Sequence, residues 1–368
     1  MVNEGQFYDW SEILSKKCKG GGYPRIIMVC SNHKCRSIGK TTGMAHEMIK
    51  KFYTHEPSAL DNLPLEGNKF VLLCRQKQTL GKLAAGIFTT ALDVYYPGVI
   101  VREKIAAKGM YSDVYFVTGT DKDKKETHVG WVVPLSGYDG IKLLANTFGE
   151  CGLVMMDEFQ PEMAESYLPA ELEKFRLVMG SLRKGKGKAA KYLPIVMCSN
   201  TVSLFSPYMV ECGLHKRVKP DTKWVKTDKI IFHKPFMEEI AKQVNDDYFD
   251  SANDYANDDS DNSWINDDNV AICKPDGWGP ADYYCSLICA DQKFAVKYYR
   301  QMGYYYVDTK VDETYPTVYN IRLKSMEPNV PIIKTAFACK VLRDAMQKGV
   351  VRFSCMEAKM ALYDLFIN

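Results

Sequence analysis

Six short and almost uninterrupted apolar runs recur through the first 200 residues, and they constrain the fold more than any other feature of the sequence. They span residues 25–30, 69–74, 114–118, 129–134, 153–156 and 194–198. Short runs rich in Val and Ile are typical of strands that are covered on both faces in a parallel sheet. Residues 41–52 and 167–182, which lie between such runs, have the apolar spacing of helices. The alternation predicts an α/β fold with a mostly parallel sheet flanked by helices.

Charge divides the 368-residue chain into three parts. Residues 1–244 hold 35 Lys and Arg against 26 Asp and Glu, and residues 270–368 hold 13 against 10. Residues 245–269 hold nine Asp and no basic residue. This middle part is rich in Asn, Asp and Ser, so it buries too little apolar surface to order itself. We predict an N-terminal domain over 1–240, a flexible acidic linker over 241–269 and a C-terminal domain over 270–368.

The last hundred residues alternate differently from the first part. Residues 293–300, 303–310, 317–323 and 350–353 resemble strands, whereas 333–348 and 356–365 resemble helices. We therefore predict a small α+β domain. Its closest cysteines, Cys285 and Cys289, are one helical turn apart with no histidine nearby, so we expect no zinc site.

The sequence carries no sign of export or membrane insertion. No apolar run reaches the ~18–20 residues that span a bilayer. The first residues also lack a basic stretch followed by an apolar one. The twelve cysteines fall singly, many of them inside apolar runs. We expect reduced thiols and a cytoplasmic protein that is neither secreted nor membrane-bound.

The first apolar run leads into a loop with the chemistry of a phosphate site. Residues 31–42 end in Gly-Lys-Thr-Thr and are followed by the first helical stretch. In a phosphate-binding loop, backbone N–H groups surround the phosphates, a Lys neutralises the β- and γ-oxygens and a hydroxyl ligates Mg²⁺. Lys40 and Thr41 fit these two roles, and Arg36 adds a second cation, although Lys34 stands where the full pattern has Gly. The remaining predicted nucleotide contacts in this loop are Ser37, Ile38, Gly39 and Thr42.

Two further apolar runs end in polar residues that suit the same site. Asp157 and Glu158 follow the run at 153–156. Asp157 is expected to hold Mg²⁺ through water, and Glu158 is expected to orient and deprotonate an attacking water. Ser199 and Asn200 follow the run at 194–198, where they either sense the γ-phosphate or form an ordinary turn. The added Glu favours a hydrolase over a small-molecule kinase, which excludes water.

Basic residues provide candidates for transition-state stabilisation and for nucleic-acid binding. Arg75 directly follows the second run and is expected to contact nucleotide. Arg183 ends a helix and is a candidate arginine finger. The candidates for contact with a DNA backbone, or alternatively for a solvated surface, are Lys186, Lys188, Lys216, Arg217 and Lys219. In the C-terminal part, basic residues alternate with tyrosines, which indicates either a nucleic-acid or portal contact or an ordinary Tyr-rich sheet. These residues are Lys293, Lys297, Arg300 and Lys310.

Four segments together resemble the DNA-packaging ATPases, or encapsidation proteins, of small protein-primed tailed bacteriophages, which are related to large terminase subunits. They are CRSIGKTT at 35–42, LVMMDEFQPE at 153–162, YLPAELEKF at 167–175 and MCSNTVSLFSPY at 197–208. The similarity continues in KFAVKYYRQMGYYYVDT and KVLRDAMQKGVVRFS. The resemblance implies a P-loop NTPase of the additional-strand, catalytic-glutamate class. It also implies a C-terminal domain similar to an RNase H-like nuclease that has lost cutting.

The same resemblance implies an activity and partners. Such proteins use ATP and Mg²⁺ to translocate double-stranded DNA into a capsid precursor in the host bacterial cytoplasm. They form a homo-oligomeric ring, usually a pentamer, at the portal vertex, and some require a phage structural RNA. The trans-acting arginine of the family matches Arg183, with Lys184 as a competitor one position on. Lys142 matches a second trans-acting cation.

Two other functions stay open on the residues alone. One is a P-loop kinase of nucleotides or metabolites, and the other is a non-catalytic nucleic-acid-binding assembly protein. Nuclease activity is not expected, because a two-metal nuclease needs several converging carboxylates. In the C-terminal part only Asp308 is clearly associated with a predicted strand.

Overall fold

Nine strands form one sheet within the residues that the computed structural model describes. They belong to the first of two units, Met1–Asn266 and Asp267–Asn368. The described residues are 8–31, 38–119, 123–161, 167–168, 170–184, 190–200, 206–215, 217–218, 222–235, 272–289, 292–321, 329–333, 336–347 and 350–367. The predicted linker, 241–269, lies outside them, so the domain boundaries remain a prediction.

The sheet of the first unit is mostly parallel, as the apolar runs predict. Its strands are β1 Ile26–Ser31, β2 Lys69–Cys74, β3 Ile100–Ala106, β4 Tyr111–Thr118, β5 Lys125–Pro134, β6 Cys151–Met156, β7 Ile195–Asn200, β8 Trp224–Lys226 and β9 Ile230–His233. Their order is β3-β4-β5-β2-β6-β7-β1-β9-β8. The six central strands, β5, β2, β6, β7, β1 and β9, each pair in parallel with their neighbours in this group. The antiparallel pairs are β3 with β4, β4 with β5, and β8 with β9.

The segment 114–118 is a strand of this sheet, as predicted, but its expected parallel pairing was wrong. It lies in β4, which pairs antiparallel with both β3 and β5. Burial along β4 largely alternates because the strand lies near the sheet edge and is only partly covered. The edge strand β3 was not predicted, since all seven of its residues are exposed or half-buried and it forms no apolar run.

Helices cover both faces of this sheet. They are α1 Trp10–Ser15, α2 Lys40–Ile49, α3 Leu83–Tyr95, α4 Tyr138–Leu143, α5 Glu171–Leu182 and α6 Pro207–Glu211. Successive strand residues point to opposite faces, so Val29 packs with α1 to α3 while Met28 packs with α4 to α6. The second predicted helix begins four residues late, at Glu171, because Ala170 has a left-handed φ of 53°.

The second unit is the small α+β domain that the sequence predicts, although its strand at 282–289 was not predicted. Its strands are β10 Asp282–Cys289, β11 Gln292–Tyr299, β12 Tyr304–Asp308, β13 Val318–Asn320 and β14 Val351–Phe353, in the order β13-β10-β11-β12-β14. The helices α7 Phe337–Gln347 and α8 Met356–Ile367 complete it. Cys285 and Cys289 lie on β10 rather than on a helix, and both pack towards the core because residues four apart share a strand face. None of the helices in the described ranges is long and apolar enough to cross a bilayer.

Candidate functional site

Three parallel strands bring the predicted site residues to one edge of the first sheet. Strand β7 lies between β1 and β6, with Ser31 opposite Asn200 and Met197 opposite Met156. Because the strands are parallel, their carboxyl ends meet, and ligands of α/β sheets bind at that edge. The Gly-Lys-Thr sequence follows β1, and the acidic pair follows β6. The inserted β7 is the additional strand that the resemblance implies.

Lys40 is the first residue of α2 and is nearly buried, at 6% exposure. Gly39 precedes it with φ of 71°, a left-handed conformation that glycine adopts without steric cost. The Lys40 ammonium donates hydrogen bonds to Ser31 Oγ and, at 3.3 Å, to Asn200 Oδ1. Ser31 Oγ also donates to Asn200 Oδ1 at 3.2 Å. The Lys40 cation therefore lies at a helix N-terminus, whose backbone N–H groups and dipole also attract anions.

Thr41 and Asp157 join the loop to the acidic pair. The Thr41 hydroxyl donates to Asp157 Oδ2 at 2.9 Å. Burial raises the pKa of the Asp157 carboxyl above its usual value, while the Thr41 hydroxyl and the Lys40 ammonium act in the opposite direction. A hydroxyl and a carboxylate are hard oxygen donors, which Mg²⁺ prefers. The residues present therefore fit a magnesium ion.

Glu158 follows Asp157 with an exposed side chain and a strained backbone. Its φ is 51°, which a non-glycine residue adopts at a cost of about 1–2 kcal/mol. Such a conformation persists only where the surroundings hold it. The turn that contains Glu158 is tied to β7 by the Phe159 N–H, which donates to the Cys198 carbonyl at 3.2 Å.

Arg75 is buried beside this turn and forms an ion pair that sequence reasoning missed. Its guanidinium donates to both oxygens of Glu171 and to the carbonyls of Glu158 and Phe159. Glu171 lies 96 positions further along the chain, so no local pattern pairs it with Arg75. The bonds that the structure gives the guanidinium lead to the turn and to α5. The predicted nucleotide contact of Arg75 remains a prediction.

The segment before α1 also contacts the loop, which the sequence analysis did not predict. The Tyr8 N–H donates to the Ile38 carbonyl at 2.7 Å, and Trp10 Nε1 donates to the Lys40 carbonyl at 3.0 Å. The Tyr8 hydroxyl lies 2.5 Å from Nδ1 of His233 at the end of β9. Burial lowers the pKa of the His233 imidazole to about 4, so the ring is neutral near pH 7.

The remaining predicted nucleotide contacts are dispersed around this edge. Ile38 is buried, Thr42 is half-buried in α2, and Ser199 is buried with its Oγ 3.5 Å from Cys30 Sγ. Arg36 and Ser37 lie outside the described residues.

The candidate trans-acting cations lie at the ends of two helices. Lys142 is exposed in the last turn of α4. Arg183 is half-buried at the end of α5, and Lys184 next to it is exposed. The two helices contact each other, with the Lys174 ammonium 5.7 Å from the centre of the Tyr138 ring. Of the candidate DNA contacts, Arg217 is exposed, whereas Lys186, Lys188, Lys216 and Lys219 lie outside the described residues.

In the second unit, three of the four predicted basic residues are paired with acids. Lys293 pairs with Glu313 at 3.1 Å and Lys297 with Asp308 at 2.8 Å. Arg300 pairs with Asp282. These pairs leave the surface less positive than the sequence alone suggests. No group of three or more His, Cys, Asp or Glu that could hold a metal occurs in the part of the chain that the structure describes. The lack of nuclease activity remains a prediction.

Comparison with known proteins places the chain in one family. The fold is similar to the bacteriophage Phi-29 viral genome packaging motor assembly, with a TM-score of 0.55, 19% identity and coverage of 98% of each chain. It is also similar to the Phi-28 gp11 DNA packaging motor, with a TM-score of 0.57, 14% identity and coverage of 99% of this chain and 98% of that one. No curated protein matches the chain. The sequence profile of the Podovirus DNA encapsidation proteins (Gp16) matches residues 6–368, and the chain therefore belongs to this family.

Proposed function

We propose that this DNA encapsidation protein hydrolyses ATP and uses the energy to drive double-stranded viral DNA into a preformed capsid. Membership of the encapsidation family supports the DNA substrate. The observation that carries the ATPase assignment is the 2.9 Å hydrogen bond from Thr41 Oγ1 to Asp157 Oδ2. That contact joins a phosphate-binding loop to an acidic pair, which are the two halves of an ATPase site.

The loop binds the triphosphate. Backbone N–H groups at the start of α2 and the Lys40 ammonium bind the β- and γ-phosphates. Thr41 would hold Mg²⁺ directly and Asp157 would hold it through water. A bound ion would supply positive charge against the phosphates.

Glu158 orients the attacking water and accepts its proton. A kinase excludes water, so a water-activating carboxylate favours hydrolysis over transfer to a small acceptor. Asn200 senses the γ-phosphate, with Ser199 beside it. The phosphate competes for the Lys40 ammonium, which donates to Asn200 Oδ1 in this structure. When the γ-phosphate is lost, the Lys40 ammonium again donates to Asn200 Oδ1. This change of hydrogen-bond partner transmits the hydrolysis event to β7.

The motor is a ring, usually a pentamer, at the portal vertex of the capsid precursor in the host cytoplasm. A phage structural RNA is a further candidate partner. Arg183 or Lys184, together with Lys142, completes the site of the neighbouring subunit. The exposure of Lys142 and Lys184 on the adjoining helices α4 and α5 supports this arrangement. The candidate DNA contacts are the basic residues Lys186, Lys188, Lys216, Arg217 and Lys219.

ATP hydrolysis by wild type and Glu158→Gln, each with and without double-stranded DNA, tests this function. We expect wild-type turnover to rise with DNA. We expect Glu158→Gln to lose turnover by about 10²–10⁴-fold, the usual contribution of a general base, while it still binds ATP. The matched control is Glu357→Gln, an exposed residue of α8, which should hydrolyse ATP like wild type.

Two results would contradict the proposal. Phosphate transfer to a small acceptor without dependence on DNA would indicate a kinase. Absence of both turnover and Mg²⁺-dependent nucleotide affinity would indicate a non-catalytic assembly protein.

A further inference from the structure

The backbone of Glu158 is held by a buried arginine from a neighbouring strand. Arg75 directly follows β2, and β2 pairs with β6, so its guanidinium lies beside the turn after β6. Nη1 donates to the Glu158 carbonyl at 2.7 Å, and Nη2 donates to the Phe159 carbonyl. Both carbonyls belong to the turn that carries Glu158, the residue that follows Asp157 in the chain.

The other side of the same guanidinium is held by Glu171, the first residue of α5. Arg75 Nε lies 3.2 and 3.1 Å from the two carboxylate oxygens, and the Glu171 side chain is only 1% exposed. Glu171 also accepts hydrogen bonds from the Leu168 N–H and the Tyr208 hydroxyl, each at 2.7 Å. One buried carboxylate therefore connects the arginine to α5 and to α6, which follows β7.

The geometry of these bonds indicates a role in orientation. Glu158 has the left-handed φ of 51°, so its side-chain direction depends on a backbone conformation that is unfavourable for glutamate. A planar guanidinium presents donors at fixed angles, so it holds two carbonyls and a carboxylate at once. An ammonium at the same place is a point charge on a flexible stem and does not fix the two carbonyls relative to each other.

We propose that Arg75 is a positioning residue for ATP hydrolysis. It holds the Glu158 turn through two carbonyls, and Glu171 holds Arg75. The role differs from direct contact with the nucleotide, which the sequence analysis predicted for Arg75. The inference rests on the proposed function, because it requires Glu158 to act on water.

Two variants test the role in the full-length protein. Arg75→Lys keeps the buried charge but removes the fixed donor geometry. The double variant Arg75→Met with Glu171→Met removes both charges, so no buried charge is left without its partner. We expect both to lower kcat about 10–100-fold, since small misplacements of catalytic groups have effects of this size. We expect the dissociation constant for ATP to change less than about threefold in both variants, because uniform binding is preserved.

The matched control is Arg176→Gln, which lies on α5 like Glu171. Arg176 pairs with Glu211 of α6 on the surface, and this pair does not involve the Glu158 turn. This variant should keep the wild-type kcat. Circular dichroism at the assay temperature confirms that each variant is folded.

The outcomes separate this inference from the proposed function. Wild-type kcat in the folded double variant would overturn the positioning role. Weaker ATP binding in proportion to the loss of activity would overturn it in favour of a nucleotide contact. If wild type hydrolyses ATP and Glu158→Gln does not, but the Arg75 variants retain full turnover, only the positioning role fails. If wild type and Glu158→Gln show the same lack of turnover, the proposed function fails and this inference fails with it.

Discussion

Asn200 is the residue that connects the Lys40 ammonium to the end of β7. Its Oδ1 accepts hydrogen bonds from both Lys40 and Ser31. Asn200 Oδ1 and Ser31 Oγ, which accept from Lys40, are neutral oxygens, whereas a bound triphosphate offers negatively charged ones that attract the ammonium more strongly. A triphosphate would therefore compete well for Lys40. We therefore expect the site to distinguish ATP from ADP by the number of charged oxygens that reach this ammonium.

A change at Asn200 tests that competition. Asn200→Asp places a carboxylate beside Lys40 and repels the γ-phosphate more than the β-phosphate. We expect the dissociation constant for ATP to rise about tenfold, which corresponds to about 1.4 kcal/mol, and that for ADP to rise less. Competition with a fluorescent nucleotide measures both constants. Asn200→Ala is the control, because it removes the same amide without adding charge. Equal weakening of ATP and ADP in Asn200→Asp would contradict a γ-phosphate sensor.

His233 makes the stability of the first unit depend on pH. Its folded pKa of about 4 lies below the value of about 6.5 for an unfolded chain. Between these values the unfolded state binds more protons, so the free energy of unfolding falls as pH falls. From about pH 7.5 to about pH 5, the loss from this group is about 2 kcal/mol.

The His233 ring stacks on Trp224 with 3.7 Å between the ring centres. His233→Phe keeps an aromatic ring at this place, but that ring cannot be protonated. Urea unfolding of wild type and variant at the two pH values measures the difference. We expect wild type to lose about 2 kcal/mol more than His233→Phe over this range. The same loss in both proteins would show that another group carries the dependence.

At the scale of elements, α2 is in contact with the segment that leads into α1. A Cβ added at Gly43 of α2 would lie 2.8 Å from the Tyr8 carbonyl oxygen and 3.2 Å from Trp10 Cδ1. The same segment donates two hydrogen bonds to the carbonyls of Ile38 and Lys40. The absence of a side chain at Gly43 therefore allows the N-terminal segment to hold the phosphate-binding loop.

Two glycine substitutions, each at the fourth residue of its helix, separate this contact from helix propensity. Gly43→Ala should lower the free energy of unfolding by about 1–3 kcal/mol, because the new methyl group overpacks the contact. Gly86→Ala in α3 has open space and should raise it by about 0.5–1 kcal/mol, as alanine favours helix over glycine. Urea unfolding measures both. Stabilisation by Gly43→Ala would show that the segment around Tyr8 and Trp10 moves away from the new methyl group at little cost.

At the scale of the whole molecule, α5 connects the candidate site of one subunit to the cations that are proposed to act in the site of the neighbouring subunit. The helix begins at Glu171, which pairs with Arg75 beside the Glu158 turn, and it ends at Leu182, directly before Arg183 and Lys184. The Arg183 carbonyl accepts a hydrogen bond from the Lys191 N–H at 3.0 Å, which fixes the end of the helix. One helix therefore links the residue that pairs with Arg75 beside the Glu158 turn to the proposed trans-acting cation.

Mixed subunits test the trans role of Arg183. Arg183→Ala and Glu158→Gln should each be inactive alone. In a mixture, a subunit with an intact Glu158 gains Arg183 from its Glu158→Gln neighbour, so activity returns. Random assembly of equal amounts places about one interface in four in the productive arrangement. ATP turnover of the mixture, compared with each variant alone, measures this. If activity does not return, the trans role of Arg183 is contradicted. If activity returns instead when Lys184→Ala is mixed with Glu158→Gln, the role belongs to Lys184.

Much of this site could be predicted because its parts are local in sequence. The Gly-Lys-Thr loop, the Asp-Glu pair and the polar end of β7 each directly follow an apolar strand, so each is visible in a short window. The Arg75–Glu171 pair and the Tyr8–His233 contact are not visible in this way. They join residues 96 and 225 positions apart, and nothing near either partner indicates the other. Strand β3 escaped prediction because an edge strand needs no apolar run.

Sequence alone determined most of the parallel core of the sheet and which residue types follow its strands, because buried strands require apolar runs and phosphate chemistry requires particular residue types in a fixed order. The tertiary structure decided the direction of β4 and the partners of Arg75. It also decided which backbone holds Glu158 in a left-handed conformation. These depend on which distant segments become neighbours, and that follows from the packing of the whole sheet and its helices.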